Sequence, residues 1–489
     1  MEYYLGVDLG TSSLKILAAT SEGQILGQTS CSFSIISTQA NYSEENPKDW
    51  LEAFDQALYE ILQKFPSIRE NLASISFSGQ MHSLVLLDKS GEPLRNAILW
   101  NDTRTSLEVK ELMDTQLDHL LKVEKNIALE GFTLPKILWI RKHEPDLWAN
   151  TWKFMLPKDY LIYYLTGKTY TDCSDASGTI MYDIKQHHWD QELLDQLEID
   201  VKKCPAILKS TDSAGDLKEE IKVKFGITSH VDVVMGGADN ACGALGNITD
   251  RNKQGLISVG TSGVVLVYTE PENQTTGKYH YFNSALSEFD YKMGVTLAAG
   301  YSLDWFKQIF APTESYEGLT SLAQTSPVGS NNMLFLPYLF GERSPYFNPE
   351  LLGGFIGFKS YHKRSDIVRS VFEGIAFSLR NVYENMGLNG DTIEKFRITG
   401  GVVKNEFWLQ MFADIFNKEI EVLELDEGPA FGALICGIMG VTGKESADIW
   451  TQYNRVKRSY FPNGETHTSY QNTFDRFIDQ SECCNKIQN

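Results

Sequence analysis

The residues LGVDLGTSSLKIL (positions 5–17) are the strongest indication of the fold, because a variant of the same pattern, LISVGTSGVVLV, returns at positions 256–267. Each copy is an apolar run, a Gly-Thr-Ser bend and a second apolar run. This order predicts a β-hairpin, with strands over Tyr3 to Asp8 and Leu14 to Ala18 in the first copy. The chain therefore contains two hairpins of one design.

The distance between the hairpins indicates two related domains, since repeats of a solenoid recur at a much shorter period of roughly 20–50 residues. We expect these domains over residues 1–248 and 249–489, because the polar stretch NITDRNKQ (residues 247–254) is typical of a connecting segment. Between the hairpins, helical periodicity over Asp49 to Leu62 alternates with short apolar runs such as Ile75 to Phe77. This alternation favours an α/β class, and we expect a polar helical tail after Thr466.

The composition predicts a globular protein with a strongly negative surface. The 489 residues are 42% hydrophobic and 22% charged, with a formal net charge of -20. Such a charge repels phosphate backbones, so we expect no nucleic-acid partner. Seven scattered cysteines without a Cys-x-x-Cys pattern predict reduced thiols and a cytoplasmic location. We expect neither a leader peptide nor a membrane partner, because no run approaches roughly 20 apolar residues.

The two bends are candidate phosphate-binding loops. Glycine lets the backbone approach a phosphate closely, while exposed amides and Thr or Ser hydroxyls donate hydrogen bonds to it. We therefore expect ATP to contact the first bend at Gly10, Thr11 and Ser12 and the second at Gly260 and Thr261. One such bend alone is most often an ordinary turn, whereas the matched pair favours a polyphosphate ligand.

Two aspartates are candidates for the chemistry at these loops. Asp8 ends the first strand and is the candidate ligand for Mg²⁺, which prefers oxygen ligands and keeps much of its water; the alternative is that Asp8 caps the turn. Asp239, in VVMGGADNACGALG (residues 233–246), lies at a strand-to-helix turn. Phosphoryl transfer to an alcohol needs a base, and Asp239 is the candidate, with Asn240 binding a neighbouring hydroxyl. Taken alone, Asp239 is equally typical of a helix N-cap.

Two further turns complete the candidate site. Gln80, Met81 and His82 crowd a turn in SGQMHSLVLLD (residues 78–88), where polar and apolar side chains together suit a sugar. His82 alone is more typical of an ordinary turn histidine. Gly400 and Gly401 separate a strand from a helix, where a glycine pair either admits a ligand or serves close packing. The chain lacks the Gly-x-x-x-x-Gly-Lys-Ser/Thr pattern of P-loop enzymes.

In this order the motifs resemble the FGGY carbohydrate kinases of the actin-like ATPase superfamily, from Tyr4 to about Gly443. DLGTSSLK (residues 8–15) and ISVGTSG (residues 257–263) are similar to the family's phosphate loops. GFTLPKILWIRKH (residues 131–143) and residues 353–373 are similar to its two signatures, with Phe358 as a departure in the second. The resemblance implies two ribonuclease H-like domains flanking a central catalytic cleft. It implies Asp239 as the base, a sugar site with Met81, His82 and Asn240, and a nucleotide site with Gly260, Thr261, Gly400, Gly401 and Asn405.

The resemblance also implies a substrate. GGADNACGA (residues 236–244), WNDTR (residues 100–104) and SDASGT (residues 174–179) are most similar to the family branch that phosphorylates D-xylulose. We therefore expect a kinase that uses ATP and Mg²⁺ to form D-xylulose 5-phosphate; a homodimer is compatible with this resemblance. Ser83 departs from the Met-His-Gly of that branch and is more like the gluconate branch. Gluconate, ribulose and polyols remain alternative substrates, and a non-catalytic actin-like nucleotide switch remains an alternative class.

Overall fold

A computed structural model describes residues 1–22, 24–286, 288–388, 392–425 and 428–487, without the side chains of Thr451 and Ile487. Within these ranges the strands, in chain order, are β1 (Tyr3–Leu9), β2 (Ser13–Thr20), β3 (Ile25–Ser32), β4 (Glu44–Glu45), β5 (Leu72–Gly79), β6 (Val85–Leu87), β7 (Ala97–Ile98), β8 (Lys153–Met155), β9 (Tyr170–Asp172), β10 (Tyr182–Asp183), β11 (His188–Trp189), β12 (Ala206–Leu208), β13 (Ser213–Asp216), β14 (Asp232–Ala238), β15 (Gln254–Val259), β16 (Gly263–Thr269), β17 (His280–Asn283), β18 (Asp290–Thr296), β19 (Leu334–Leu336), β20 (Gly354–Ile356), β21 (Lys395–Gly400), β22 (Glu419–Leu423) and β23 (Val456–Tyr460).

The α-helices in the same ranges are α1 (Pro47–Lys64), α2 (Ile68–Asn71), α3 (Ser106–Lys122), α4 (Thr133–His143), α5 (Pro145–Asn150), α6 (Pro157–Thr166), α7 (Cys173–Ser177), α8 (Gln191–Gln196), α9 (Glu219–Phe225), α10 (Asp239–Asn247), α11 (Gly300–Phe310), α12 (Tyr316–Gln324), α13 (Arg364–Glu384), α14 (Glu406–Phe416), α15 (Gly428–Thr442), α16 (Ser446–Tyr453) and α17 (Gly464–Ile487). None of these helices combines the length and the apolar character that a bilayer span requires.

The two large sheets repeat one topology, which confirms the α/β class and the pair of related domains. The first sheet has the strand order β13-β14-β5-β1-β2-β3, and the second has the order β17-β18-β16-β15-β21-β22-β23. In each sheet two parallel pairs occupy the centre, β14 with β5 and β5 with β1 in the first, β22 with β21 and β21 with β15 in the second. The hairpins β1–β2 and β15–β16 hold equivalent places, and β17 is an addition at the edge of the second sheet.

Both predicted hairpins are present, with strands slightly longer than expected and bends of unequal length. In the first hairpin Leu9 pairs with Leu14, so the bend spans residues 10–13. In the second hairpin Val259 pairs with Gly263, so the bend spans residues 260–262. The first bend therefore has one residue more than the second, a difference that is not evident from the similar sequences of the two motifs.

The helices that follow equivalent strands, α10 and α15, pack directly against each other. At Gly432 a Cβ atom would lie 1.8 Å from the carbonyl oxygen of Cys242, so the crossing brings one backbone onto the other. At Gly6 in β1 a Cβ atom would lie 2.2 Å from the carbonyl oxygen of Ala430, so α15 also lies flat on the first sheet. The small residues of these two helices therefore serve close packing.

The C-terminal helix belongs to the core of the second half. In α17 the side chains of Tyr470, Phe474 and Phe477 are at most 2% exposed. Phe377 of α13 lies 5.8 Å from Tyr470 and 5.7 Å from Phe477 between ring centroids. The segment expected to form a polar tail is thus an amphipathic helix that packs on α13.

Candidate active site

The candidate residues of the first sheet meet because three parallel strands end at one edge. Leu9 at the end of β1 and Ala238 at the end of β14 both pair with Gly79 at the end of β5. Asp8 and the first bend, the Gln80–His82 turn and Asp239 follow these three strand ends. Carboxyl ends of parallel strands are where open α/β sheets bind ligands, so the site has the expected place in the fold.

Asp239 is the first residue of α10 and does not cap the helix, because Ala238 holds the N-cap position. Its Oδ1 accepts hydrogen bonds from the backbone N–H of Asn240 at 2.7 Å and from the Asn240 side-chain amide at 2.9 Å. Burial raises the pKa of Asp239 to about 7, and the charge of Asp8 adds to this, while the bonds from Asn240 oppose it. A carboxyl group with this pKa exchanges its proton near neutral pH, as a general base must.

A buried polar network supports the turn that carries Asp239. The backbone N–H of Ala238 donates to the Ser174 hydroxyl at 2.9 Å, and that hydroxyl donates to Asp172 Oδ2 at 2.5 Å. Lys158 forms ion pairs with Asp172 at 2.9 Å and with Asp175 at 3.2 Å, and all of these side chains are fully buried. This network explains the SDASGT segment, whose positioning role the residue pattern alone did not reveal.

Asp8 offers an acceptor that no described residue satisfies. Its Oδ1 is buried and has no hydrogen-bond partner among the described residues. Burial raises the pKa of Asp8 to about 6, while the neighbouring Ser78 hydroxyl and the Lys15 ammonium oppose the shift. Two carboxyl groups, close enough for the charge of Asp8 to act on Asp239, form an all-oxygen donor set of the kind that Mg²⁺ prefers.

His82 has a defined tautomer. Its backbone is left-handed, with φ 69°, and its Nδ1 lies 2.6 Å from the carbonyl oxygen of Gly178. Burial lowers the pKa of His82 to about 3, so the ring is neutral and Nδ1 must carry the proton that it donates to Gly178. Nε2 is then left as a hydrogen-bond acceptor, which suits a sugar hydroxyl.

Apolar groups lie beside His82, as a carbohydrate site requires. The His82 ring packs edge-on against Phe132 at 4.7 Å and lies 5.9 Å from Phe282 of the second sheet. Met81 is 3% exposed, and its Sδ lies 3.7 Å from the side-chain amide of Asn240. Met81, His82 and Asn240 are therefore brought together as expected, next to Asp239.

Gln80 lies behind this surface. The residue is 1% exposed, and its amide nitrogen donates to Glu45 at 3.1 Å and reaches the carbonyl oxygen of Gly10 at 3.5 Å. Its Oε1 accepts a hydrogen bond from the Ser83 hydroxyl at 3.1 Å. The geometry thus gives Gln80 a role in positioning the first bend, and its expected contact with the sugar stays a prediction.

Ser83, the departure from the usual pattern, faces the protein interior. It is 0% exposed, and its hydroxyl also accepts a hydrogen bond from the backbone N–H of Trp100 at 3.0 Å. The indole of Trp100 in turn donates to the Thr11 hydroxyl of the first bend at 2.9 Å. Ser83 therefore connects the sugar turn with the WNDTR segment and presents no group of its own to a substrate.

The expected nucleotide residues of the second sheet also share an edge. Val259 at the end of β15 pairs with Gly400 at the end of β21, so the bend with Gly260 and Thr261 lies beside Gly400 and Gly401. Gly400 has φ 90°, and a Cβ atom there would lie 2.4 Å from the Val259 carbonyl oxygen, which only glycine permits. Close backbone approach thus explains Gly400, whereas Gly401 is exposed and a Cβ atom added to it would meet no described atom within 4 Å.

Asn405 is already engaged within the protein. Its Oδ1 caps α14 by accepting from the Trp408 N–H at 3.1 Å, and its Nδ2 donates to the Thr320 hydroxyl at 2.8 Å. A capping asparagine at this position fixes the start of α14 beside Gly401. Its contact with a nucleotide stays a prediction.

Arg343 lies near enough to the sugar turn for its charge to act on His82, and the motif reasoning did not consider it. No described residue forms a hydrogen bond or ion pair with its guanidinium, yet its charge contributes to lowering the pKa of both His82 and His280. Arg343 therefore brings a cation from the second half of the chain to the sugar side of the site. The segment LPYLFGERSP (residues 336–345) contains Arg343, but its pattern alone does not distinguish a ligand-binding arginine from one that pairs with a neighbouring acid.

Comparisons with known proteins agree with this geometry. The FGGY family of carbohydrate kinases matches with its N-terminal domain at residues 3–246 and with its C-terminal domain at residues 255–441. A xylulose kinase from Bacillus subtilis is 42% identical over 479 residues, which are 98% of this chain and 96% of that protein. Two solved structures from Lactobacillus acidophilus are both 28% identical. The match to a ligand-bound xylulose kinase has a TM-score of 0.94 and covers 99% of this chain and 98% of that protein. The match to a gluconate kinase has a TM-score of 0.95 and covers 100% of this chain and 99% of that protein. The chain therefore belongs to the FGGY family of carbohydrate kinases and is a sugar phosphotransferase with the actin-like ATPase fold.

Proposed function

We propose that this kinase transfers the γ-phosphoryl group of ATP to the terminal hydroxyl of D-xylulose, giving D-xylulose 5-phosphate and ADP. The observation that carries the proposal is the position of Asp239, at the start of α10 next to Asp8 and, through Asn240, next to Met81. This arrangement combines a base, an oxygen ligand for a cation and a surface for a carbohydrate. An actin-like switch needs no such combination.

Asp239 accepts the proton of the sugar hydroxyl while that oxygen bonds to the γ-phosphorus. The bond from the γ-phosphorus to the bridging oxygen of ADP breaks in the same displacement, so the electron pair leaves with ADP. Asn240 holds Asp239 through two hydrogen bonds and keeps it oriented. His82 and Met81 position the sugar, and Ser174 fixes the Ala238 peptide behind the base.

In this proposal the nucleotide phosphates bind to the two glycine bends, and Asp8 would hold the metal ion. Gly10, Thr11 and Ser12 bind phosphates from the first sheet, and Gly260 with Thr261 does so from the second. Gly400, Gly401 and Asn405 line the remainder of the nucleotide site. Asp8 holds Mg²⁺, which when bound neutralises charge on the phosphate oxygens. The unsatisfied Oδ1 of Asp8 supports this assignment.

The choice of D-xylulose rests on sequence similarity, because the fold does not discriminate among substrates. The xylulose kinase and the gluconate kinase of Lactobacillus acidophilus superimpose almost equally well, whereas the Bacillus subtilis relative is a xylulose kinase at 42% identity. Ser83 gives no support to gluconate, since its hydroxyl is buried between Gln80 and Trp100. A cytoplasmic location and a homodimer accompany this proposal as predictions.

Arg343 binds the sugar in this proposal. Its guanidinium is available for hydrogen bonds and acts on His82, so it completes from the second half a site built mainly by the first. Replacing it in the variant Arg343→Gln should raise KM for the sugar at least about tenfold, as expected when a hydrogen bond from a charged donor is lost. KM for ATP should change much less. An unchanged KM for the sugar would remove Arg343 from the site.

The decisive experiment compares Asp239→Ala with the matched variant Asp232→Ala, which alters the other end of β14. Release of ADP in the presence of D-xylulose should fall by a factor of about 10² to 10⁴ in Asp239→Ala, the range for loss of a general base, and stay near normal in Asp232→Ala. Calorimetry should show that both variants still bind ADP. Near-normal turnover in Asp239→Ala would exclude it as the base.

A substrate panel tests the sugar independently of the base. The unmodified enzyme is assayed with D-xylulose, ribulose, gluconate and glycerol, and kcat/KM is compared. We expect D-xylulose to have the highest value. If gluconate has a higher value, the proposed substrate is wrong while the assignment of Asp239 is unaffected.

A further inference from the structure

A second cluster of acidic and imidazole groups lies apart from the candidate active site. His119 is in the last turn of α3, Glu124 follows that helix, and Asp190 is the N-cap of α8. One ligand atom of each side chain lies within 4.8 Å of the others, and His119 Nε2 is 2.5 Å from Asp190 Oδ2. The end of α3 and the start of α8, two segments of the first half, therefore converge on one point.

Glu124 provides the second observation, and it is independent of the clustering. The residue is 0% exposed, and neither carboxylate oxygen has a hydrogen-bond partner among the described residues. A buried carboxylate without a donor is strongly destabilising unless a cation or a proton compensates it. Asp190, which is 6% exposed, offers no donor when ionised, so either a cation or a proton held by Glu124 and donated to Asp190 must compensate the pair.

Asp190 is already held in place as a ligand would be. Its Oδ1 accepts hydrogen bonds from the backbone N–H groups of Glu192 at 3.0 Å and Leu193 at 3.2 Å, which leaves Oδ2 facing His119. Carboxylates oriented by such outer contacts are typical of metal centres, because the outer contacts fix the direction of the ligand oxygen.

We propose that His119, Glu124 and Asp190 bind one divalent transition-metal ion of the zinc type. One imidazole nitrogen and two carboxylate oxygens neutralise a dication and leave a fourth position for water, a donor set that suits Zn²⁺ better than Mg²⁺. Ligands at about 2.0–2.2 Å from a tetrahedral ion stand roughly 3.3 Å apart, so His119 and Asp190 separate by about 0.8 Å when the ion enters.

The ion has a structural consequence, because the residues after Glu124 contact the second half of the chain. The carbonyl oxygen of Lys125 accepts a hydrogen bond from the Thr275 hydroxyl at 2.7 Å. The side chain of Asn126 donates to the Tyr281 carbonyl oxygen at 2.7 Å and accepts from the Tyr281 N–H at 3.1 Å. A metal ion at Glu124 therefore stabilises the contact between the two halves.

The chain offers a matched control in Asp216, His230 and Asp232, whose ligand atoms also lie within 4.8 Å of one another. Asp216 and His230 are exposed and lie 3.5 Å apart, and half-buried Asp232 accepts from the Ser213 hydroxyl at 3.1 Å, so these groups need no ion. Both clusters thus offer one imidazole and two carboxyl groups, and they differ in burial.

The test uses the full chain without an affinity tag, freed of metal by a chelator and kept free of nucleotide. Zinc content is measured after equilibration with Zn²⁺ and removal of the excess, for the unmodified protein and for Glu124→Gln, His119→Gln, Asp232→Asn and Asp8→Asn. Circular dichroism verifies that each variant is folded. Thermal unfolding is then recorded with and without Zn²⁺.

We expect one Zn²⁺ per chain in the unmodified protein, in Asp232→Asn and in Asp8→Asn, and a loss of at least about tenfold in affinity in Glu124→Gln and His119→Gln. Zn²⁺ should raise Tm by about 3 °C or more only in the proteins that retain the site. The proposal is overturned if the unmodified protein binds no stoichiometric Zn²⁺, or if Glu124→Gln or His119→Gln binds it equally well. Loss of the ion in Asp8→Asn would assign it to the nucleotide site instead.

Discussion

The pH dependence of the kinase tests the proposed base directly, with lowered pH as the perturbation. Burial and the charge of Asp8 raise the pKa of Asp239 from 3.8 to about 7. Because the base acts only when ionised, about nine tenths of the enzyme is competent at about pH 8 and about one tenth at about pH 6. We therefore expect kcat/KM for MgATP to fall about tenfold between these two values.

The measurement is ADP release at limiting MgATP and saturating D-xylulose, because kcat/KM reports groups of the enzyme before the nucleotide binds. A discontinuous ADP assay avoids the pH sensitivity of coupling enzymes, and activity restored by returning samples to pH 8 shows that the enzyme survived. An ordinary aspartate would leave kcat/KM flat across this range. A kcat/KM that is constant between about pH 6 and 8 and falls only near the unperturbed pKa of 3.8 would contradict the burial argument for Asp239.

Further predictions concern stability and packing. Asp239→Asn should raise Tm at pH 8 but not near pH 4. The pKa of Asp239 is raised from 3.8 to about 7, so its ionised carboxyl destabilises the folded protein only as pH rises through that range. An equal gain in Tm at both pH values would refute this. Ser83→Ala removes the hydroxyl that accepts from the Trp100 N–H and donates to the buried Gln80 side chain, so urea denaturation should show a loss of about 1–3 kcal/mol, while the ratio of kcat/KM for D-xylulose and gluconate stays unchanged. Gly432→Ala should cost about 3 kcal/mol in the same assay because its Cβ would meet the Cys242 carbonyl oxygen, and near-normal stability would show that the helices can separate there.

The sequence predicted the fold well because its strongest signal was a repeated local pattern. A hairpin is specified by residues close in the chain, so both copies could be found without knowing their environment. Parallel pairing then follows from sheet topology, and it brought Asp8, Met81 and Asp239 to one edge. The length of each bend could not be predicted, because register depends on cross-strand pairing.

The parts of the site that escaped prediction depend on contacts between distant segments. Ser174 supports the Ala238 peptide across 64 positions of the chain, and Lys158 is enclosed by carboxylates from three other positions. Each of these residues alone resembles an ordinary polar residue of a loop or a helix. The direction of the Ser83 side chain was equally hidden, since whether a turn residue faces inward is decided by tertiary packing.

The duplicated topology also gives a reason for placing the proposed acid–base chemistry in the first domain. Val259 before the second bend is equivalent to Leu9 before the first, so Ser258 takes the place of Asp8. The helix after β14 begins with Asp239, whereas the described part of the helix after β22 begins with Gly428. The second edge instead offers glycines and hydroxyls, which bind phosphate without adding negative charge to a chain of net charge -20. A cation and a proton can neutralise the paired carboxylates Asp8 and Asp239 at the first edge, where the proposed chemistry needs them.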